Sequence, residues 1–227
     1  MKTHAQHVTR WVAVALLACG AATGCSSLSK SQQGAIIGAA AGGVAGGVIG
    51  NNNGTTTKGA IIGAVIGGAA GAIIGHQMDK QAQELSQNIP GATVERVGEG
   101  IQITFDSGLM FDFDSDVIKG AAQSNLNNLA ASLSKYSDSN LLIAGHTDDV
   151  GSGDYNQGLS ERRAAAAARY LTSAGVTRTI RTAGLGEREP VSVNTTDDGR
   201  QKNRRVEVAI YANEALQEKA RREAAGG

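Results

Sequence analysis

The chain has 227 residues, zero formal net charge, 31 glycines, two prolines and only 4% aromatic residues. Glycine stands at about twice its usual share, and 14 of the 31 fall within residues 34–75, a block whose single charge is Lys58. That segregation excludes one uniform globular core. The lack of a G-X-Y period excludes collagen, and the neutral charge balance gives no basic footprint for nucleic acid.

Residues 1–24 place Lys2 and Arg10 before an apolar run, Trp11 to Ala18, and then small residues. This is the order of a secretory signal peptide, and the run is too short to span a bilayer. Its end, Ala22-Thr23-Gly24-Cys25, resembles a bacterial lipoprotein cleavage site, with Ala22 where Leu is usual. The resemblance implies cleavage before Cys25 and attachment of lipid, palmitate included, to its sulfur, leaving residues 25–33 as the lipidated N-terminus. An ordinary signal peptide that happens to contain a cysteine is the alternative. Removal of residues 1–24 discards Cys19 and two basic residues, so the exported chain has no disulfide and two more acidic than basic residues. Ser26, by resemblance to enterobacterial lipoproteins, implies the outer membrane and its periplasmic face.

Residues 34–50 and 59–75 form an internal repeat, GAIIGAAAGGVAGGVIG and GAIIGAVIGGAAGAIIG. Glycine recurs every fourth position from Gly34 to Gly50 and from Gly59 to Gly75, which places it on one face of a helix. Asn51 to Lys58 between them has turn chemistry. The pattern predicts an antiparallel glycine-zipper hairpin over 34–75. A bilayer would enforce such helices and allow close packing, and 17 residues span about 25 Å. Membrane insertion or self-association into a homo-oligomer is one reading; a spacer, or a hairpin packed on protein, is the other. Residues 76–91, polar, helix-permissive from Gln77 to Gln87 and ending at Pro90-Gly91, read as the helix exit and the linker.

From Ala92 the composition becomes ordinary. Val94 to Val97 and Ile101 to Phe105 alternate around Gly98-Glu99-Gly100, a β-hairpin pattern. Leu126, Leu129 and Leu133 lie at helical spacing within Val117–Tyr136. Leu141–Ala144 reads as a buried strand, Tyr155–Ala174 as a helix ending at Gly175, and Thr179–Ala183 and Arg205–Tyr211 as further strands. The expected fold is an α/β sandwich with a β-α-β-α-β core over residues 92–212, followed by a charged tail at 213–227 in which Asn213 to Ala225 reads as a fraying terminal helix.

Four motifs occur here in order: Gly145-His146-Thr147-Asp148; Asn156-x-x-Leu159-Ser160-x-x-Arg163-Ala164-x-x-Ala167-x-x-x-Leu171; Gly184-Leu185-Gly186-Glu187; and Gly199-Arg200-x-Lys202-Asn203-Arg204-Arg205-Val206-Glu207. Together they resemble the peptidoglycan-associating signature of OmpA-like domains, with Ala167 where Val is common, across roughly residues 100–212. The full arrangement is similar to OmpA-family lipoproteins that carry a glycine zipper. The ligand this resemblance implies is the meso-diaminopimelate of the peptidoglycan stem peptide, which presents an ammonium and a carboxylate on one carbon.

Such a ligand calls for one anion and one fork of donors. Asp148 suits the ammonium, and the planar guanidinium of Arg163 suits the carboxylate. The N-terminus of the Tyr155 helix adds N–H donors, and Asn156 offers an amide or, alternatively, an N-cap. Thr147, Asp114 and Arg204 follow by motif position. The competing structural roles are a turn cap for Asp148, a carboxylate partner such as Asp148 for Arg163, and pairing with Glu187 or Asp198 for Arg204.

Other chemistries lack their residues. Asp112, Asp114 and Asp116 alternate as in a calcium loop, but Val117 and Gln123 stand where Gly and Glu are needed. His146 has no neighbouring cysteine or second histidine for zinc, and no G-x-S-x-G elbow surrounds Ser160. Gly184-Leu185-Gly186 is followed by Glu189 where a dinucleotide fingerprint needs glycine. No cofactor is expected. The sequence therefore points to a non-catalytic tether between membrane and cell wall. The alternatives are an envelope assembly protein driven by its zipper and a peptidoglycan hydrolase.

Overall fold

The computed structural model describes residues 55–226. The signal segment, Cys25 and the first zipper arm lie outside the described residues. Five strands form one mixed sheet: β1 (Ala92–Val97), β2 (Gly100–Asp106), β3 (Ser139–Gly145), β4 (Ile180–Gly184) and β5 (Arg205–Ala212), in the order β1-β2-β5-β3-β4. The expected hairpin joins β1 to β2, with Val97 facing Gly100 across a turn in which Gly98 takes φ +52°. The β3–β4 pair is parallel and the other neighbours are antiparallel.

Among the described residues seven helices accompany the sheet: α1 (Thr56–Gly63), α2 (Gly68–Asn88), α3 (Ser107–Met110), α4 (Gly120–Lys135), α5 (Gly153–Ser173), α6 (Asp197–Asn203) and α7 (Glu214–Gly226). In α4 the buried residues Ala122, Leu126, Leu129 and Leu133 repeat at three- and four-residue intervals, which aims one stripe at the sheet. Helix α5 starts where the Ser152 hydroxyl accepts the Tyr155 N–H at 3.2 Å, and it stops at Gly175, φ +94°.

The main core lies on one face of the sheet. There Ile101, Ile103, Phe105, Leu141, Ile143, Val206, Val208 and Ile210 meet side chains of α2, α4, α5 and α7. The alternate residues Leu142, Ala144, Ala209 and Tyr211 point to the opposite face, where a second, smaller core forms beneath α1.

The second zipper arm departs from the expected single helix. Residues 59–75 are split between α1 and α2, with Gly67 at φ +69° and Gly68 at φ +63° making the break. The Glu99 carboxylate on the hairpin turn accepts the N–H groups of Ile66 (3.0 Å) and Gly67 (2.8 Å), satisfying donors that a continuous helix would have bonded internally. The two halves are buried on opposite faces. Ala60, Ile61 and Ala64 of α1 sit on the smaller core, whereas Ile74, Met78, Ala82 and Leu85 of α2 enter the main one. Gly100 makes room for α1, since a Cβ there would stand 2.5 Å from Ile61 Cγ2. Burial of Ile74, Met78 and Leu85, at about 1.5–3 kcal/mol each, offsets the roughly 1 kcal/mol cost of each helical glycine. Among the described residues no helix is long and apolar enough to cross a membrane.

The linker reading of residues 76–91 is revised: α2 continues to Asn88, and Met78, Leu85 and Ile89 are fully buried. The charged terminal helix is α7, which is packed rather than loose and buries Leu216 and Ala220 in the main core. Both segments look polar because only one narrow stripe of each is apolar.

Candidate functional site

The end of the sheet where β3 stops carries the residues picked out by the motifs. The loop after Gly145 is buried at His146, Thr147 and Asp148. Its backbone is fixed from two sides: His146 N–H donates to the Arg205 carbonyl at 2.9 Å, and Thr147 N–H donates to the Gly186 carbonyl at 2.9 Å. Ser160 on α5 holds the facing loop, its hydroxyl accepting from Gly186 N–H at 2.9 Å and donating to the Gln157 carbonyl at 2.8 Å. Helix α5 comes this close because Gly145 and Gly184 lack side chains. A Cβ on Gly145 would lie 2.2 Å from the Ser160 carbonyl oxygen, and one on Gly184 would lie 2.6 Å from the Glu161 nitrogen.

Asp148 is 8% exposed. Its Oδ1 accepts the Val150 N–H at 3.2 Å, which is the turn-capping role, and its Oδ2 accepts Arg204 Nη1 at 2.5 Å. Arg204 thus pairs with Asp148, and not with Glu187 or Asp198 as the sequence alone allowed. Asn156 lies inside the first turns of α5 and is not its N-cap, a place taken by Ser152. The Asn156 amide instead donates to the Asp148 carbonyl (3.3 Å) and to Glu187 Oε2 (2.9 Å), so it ties three of the four motifs together.

Arg163 does not pair with Asp148. Its Nε donates to the Ser115 carbonyl at 3.0 Å, Nη1 reaches the Ser107 hydroxyl at 3.4 Å and Nη2 the Asp112 carbonyl at 3.5 Å. The guanidinium also stacks over Phe111, 5.2 Å from the ring centre. Burial lowers its pKa, while Tyr155 and Asp114 on one side raise it and Arg204 on the other lowers it. Each of its three nitrogens has a partner, and the residue is 5% exposed. Asp114 lies on the exposed 111–119 loop at φ +53°, and its carboxylate accepts the Tyr155 hydroxyl. The loop is thereby latched to α5 next to Arg163, with Phe113 wholly exposed at its tip.

Thr147 carries the one buried hydroxyl of the site without a partner. The arrangement brings a carboxylate, two guanidinium groups, an amide and a hydroxyl to the first half of α5 and the loops beside it. Ser160, His146 and Asp148 do not form a relay. The Ser160 hydroxyl serves two backbone groups, and the nearest carboxylate to the His146 ring is that of Glu207, at 3.8 Å from Nε2. Among the described residues no group of His, Cys, Asp or Glu side chains could hold a metal ion.

The sequence reading placed Glu187 in a motif and as a partner for Arg204, not for Asn156, and it missed the buried cluster of His146, Arg205 and Glu207. The Arg205-x-Glu207 spacing was a signal for the cluster. Residues two apart on a strand share a face, and Arg205 Nε donates to Glu207 Oε1 at 2.7 Å.

Comparison with known proteins places these elements. Residues 110–204 match the OmpA family, and residues 1–79 match the YMGG-like Gly-zipper. The chain is 34% identical over 138 residues to the probable lipoprotein YiaD of Escherichia coli, covering 60% of this chain and 63% of that protein. It is 40% identical over 117 residues to outer membrane porin F of Pseudomonas fluorescens, covering 51% of this chain and 35% of the porin. The chain thus spans less than two thirds of either relative. Among solved structures, the cell wall anchor from Pseudomonas aeruginosa superimposes with a TM-score of 0.53 at 28% identity, covering 59% of this chain and 97% of that one. The periplasmic domain of Helicobacter pylori MotB, with a TM-score of 0.51 at 21% identity, shares the fold.

Proposed function

We propose, for a chain whose residues 110–204 belong to the OmpA family and whose N-terminal part is a YMGG-like Gly-zipper, a lipid-anchored envelope protein that holds its membrane to the cell wall. OmpA-like domains are non-catalytic peptidoglycan-binding domains. The finer reading is that the ligand is the meso-diaminopimelate of the stem peptide and that the anchor is lipid on Cys25 in the outer membrane. One observation supports the ligand reading: Arg204 holds the nearly buried Asp148 carboxylate and lies close enough to Arg163 to lower its pKa, so an anion and two cations gather beside α5. An ammonium next to Asp148 and a carboxylate next to Arg163 match the two charges on one ligand carbon.

Thr147 and Asn156 supply uncharged contacts, Asp114 a second acceptor for the ammonium, and Arg204 a second cation facing the carboxylate. Binding of purified sacculi tests the assignment. Diaminopimelate-type walls should retain the protein, and lysine-type walls, which lack the terminal carboxylate, should retain it poorly. Arg163→Ala should largely erase that preference. Equal retention of the wild type on both walls would overturn the ligand assignment. Release of soluble fragments would favour a hydrolase instead. The anchor is tested separately: Cys25→Ser should abolish palmitate labelling.

A further inference from the structure

The first turn of α1 reaches the same buried cluster as the Asp148 loop. Thr57 is completely buried and donates its hydroxyl to Glu207 Oε2. Thr56 beside it bonds Glu189 twice, through its N–H at 2.9 Å and its hydroxyl at 2.5 Å. Glu207, 1% exposed, turns its other oxygen to Arg205, and Arg205 Nη2 in turn donates to the Glu189 carbonyl at 3.1 Å. Glu207 Oε2 lies 3.8 Å from Nε2 of His146, and neither ring nitrogen of that histidine has a hydrogen-bond partner. Two residues beyond His146 stands Asp148, held by Arg204, the neighbour of Arg205 in the chain. Strand, loop and α1 therefore meet at one carboxylate.

We propose that α1 is a positioning element for the wall-binding loop: Thr57, acting through Glu207 and His146, sustains ligand affinity, and undocking of α1 lowers it. This inference rests on the peptidoglycan reading above. Its physical basis is the accounting around a buried anion. Removal of the Thr57 hydroxyl leaves Glu207 Oε2 facing only an imidazole. A buried acceptor without a donor is costly, and two relaxations are open. Water can enter, or the His146 ring can take a proton and turn toward Glu207. Either displaces the residue from which Thr147 and Asp148 hang. The remaining footing of α1 is Ala60, Ile61 and Ala64 on the small core, the Thr56 bonds to Glu189, the Lys58–Glu95 ion pair at 3.5 Å and the Gln217 bond to the Ala64 carbonyl at 3.3 Å. The chain also enters α1 at Thr55, so a pull from its N-terminal side loads Thr56 and Thr57 first. Load on the membrane side would then be felt at the wall site.

The test uses the full chain and the tripeptide L-Ala-D-Glu-meso-diaminopimelate as probe. Thr57→Val should weaken binding about tenfold, the scale of one hydrogen bond to a charged group, and Thr57→Ser should restore it. Ile61→Asp, which ejects α1 without touching Glu207, should weaken binding at least as much. The second readout is the His146 imidazole, followed by NMR against pH. It is faced by Glu207 and Arg205 of β5 and by Arg188 of the segment after β4, and burial holds its pKa down at about 3. In Ile61→Asp it should titrate well above that value. A shifted His146 titration with wild-type affinity would overturn the proposal alone, because α1 would have left without effect on the site. Equal binding by wild type and Asp148→Asn would overturn the ligand reading, and the proposal with it.

Discussion

Arg204 Nη1 and Asp148 Oδ2 lie 2.5 Å apart, so the acid assigned to a ligand's ammonium already holds a cation. An incoming ammonium must share that carboxylate with Arg204 or displace it. Displacement is feasible because Arg204 is partly exposed and its Nη2 keeps a second acceptor, Gln201 Oε1. Asp148 also keeps the Val150 N–H, so the loop does not depend on Arg204 alone. Asp148→Asn should lower affinity for the diaminopimelate tripeptide roughly 10-fold to 150-fold, from about 1.5–3 kcal/mol for a charged hydrogen bond. Arg204→Ala should have a smaller effect. Calorimetric titration orders the two, and an Arg204→Ala loss equal to that of Asp148→Asn would show that the pair acts as one unit.

Arg163 carries structure as well as charge. It joins α5 to the carbonyls of Ser115 and Asp112 and to the Phe111 ring, so its removal unties the 111–119 loop. Arg163→Ala should cost about 2 kcal/mol of stability, read by urea unfolding, and should speed amide exchange in that loop. Arg163→Lys keeps the charge but cannot reproduce the fork, so it should recover little of either. Unchanged exchange in Arg163→Ala would leave only a ligand-facing role.

His146 makes stability depend on pH with a defined sign. In the unfolded chain its pKa is near the ordinary 6.5, whereas in the folded protein burial and the nearby Arg205 push it to about 3. Above 6.5 both states are neutral and nothing is lost. As pH falls through 6.5 the unfolded state takes up a proton that the folded state refuses, so stability drops until about pH 3. Burial opposes the charge on Glu207, but His146, Arg205 and the Thr57 hydrogen bond outweigh it and hold its pKa below the ordinary value of 4.5. Its contribution is therefore lost only lower down, as pH falls from about 4.5 through its folded pKa. Between 6.5 and 4.5 the slope belongs to the histidine. About 2 kcal/mol should vanish between pH 7.5 and pH 5, and His146→Asn should flatten the profile. An unaltered slope in that variant would assign the effect elsewhere.

The sheet and its two large helices were legible because their signals are local. Leu126, Leu129 and Leu133 mark α4 by spacing, and the unbroken apolar run Leu141–Ala144 indicates a strand covered on both faces. What covers the second face was not legible. The repeat from Gly59 to Gly75 has the periodicity of one helix, and the break at Gly67 and Gly68 is decided by Glu99, a partner 32 residues away from Gly67. The burial of α2 and α7 was not legible for a related reason: each buries a stripe that exists only once the other elements are in place. At the site, the motifs drew attention to Asp148, Asn156 and Arg163 but not to their partners in the fold. Arg204 and Asp148 are 56 positions apart in the chain, and only the β3–β5 register brings them together.

Gly145 offers the sharpest steric test of the site's framework. Its missing side chain lets α5 cross the end of β3, since an added Cβ would stand 2.2 Å from the Ser160 carbonyl oxygen and 3.2 Å from Ser160 Cα. Both are backbone atoms of a helix packed in the core, so neither can turn aside. Gly145→Ala must push α5 outward, and overpacking of this kind typically costs about 1–3 kcal/mol. The displaced segment carries Asn156 and Ser160, so the contacts to the Asp148 carbonyl and to Gly186 should lengthen, and tripeptide affinity should fall along with the melting temperature. Gly120 is the matched control. It opens α4, and an added Cβ there meets nothing within 4 Å. Gly120→Ala should stabilise the protein by about 0.5–1 kcal/mol through reduced freedom of the unfolded chain, with binding unchanged. Thermal unfolding of the two variants should therefore move in opposite directions. A Gly145→Ala protein as stable as the wild type would mean that α5 does not sit against β3 as described.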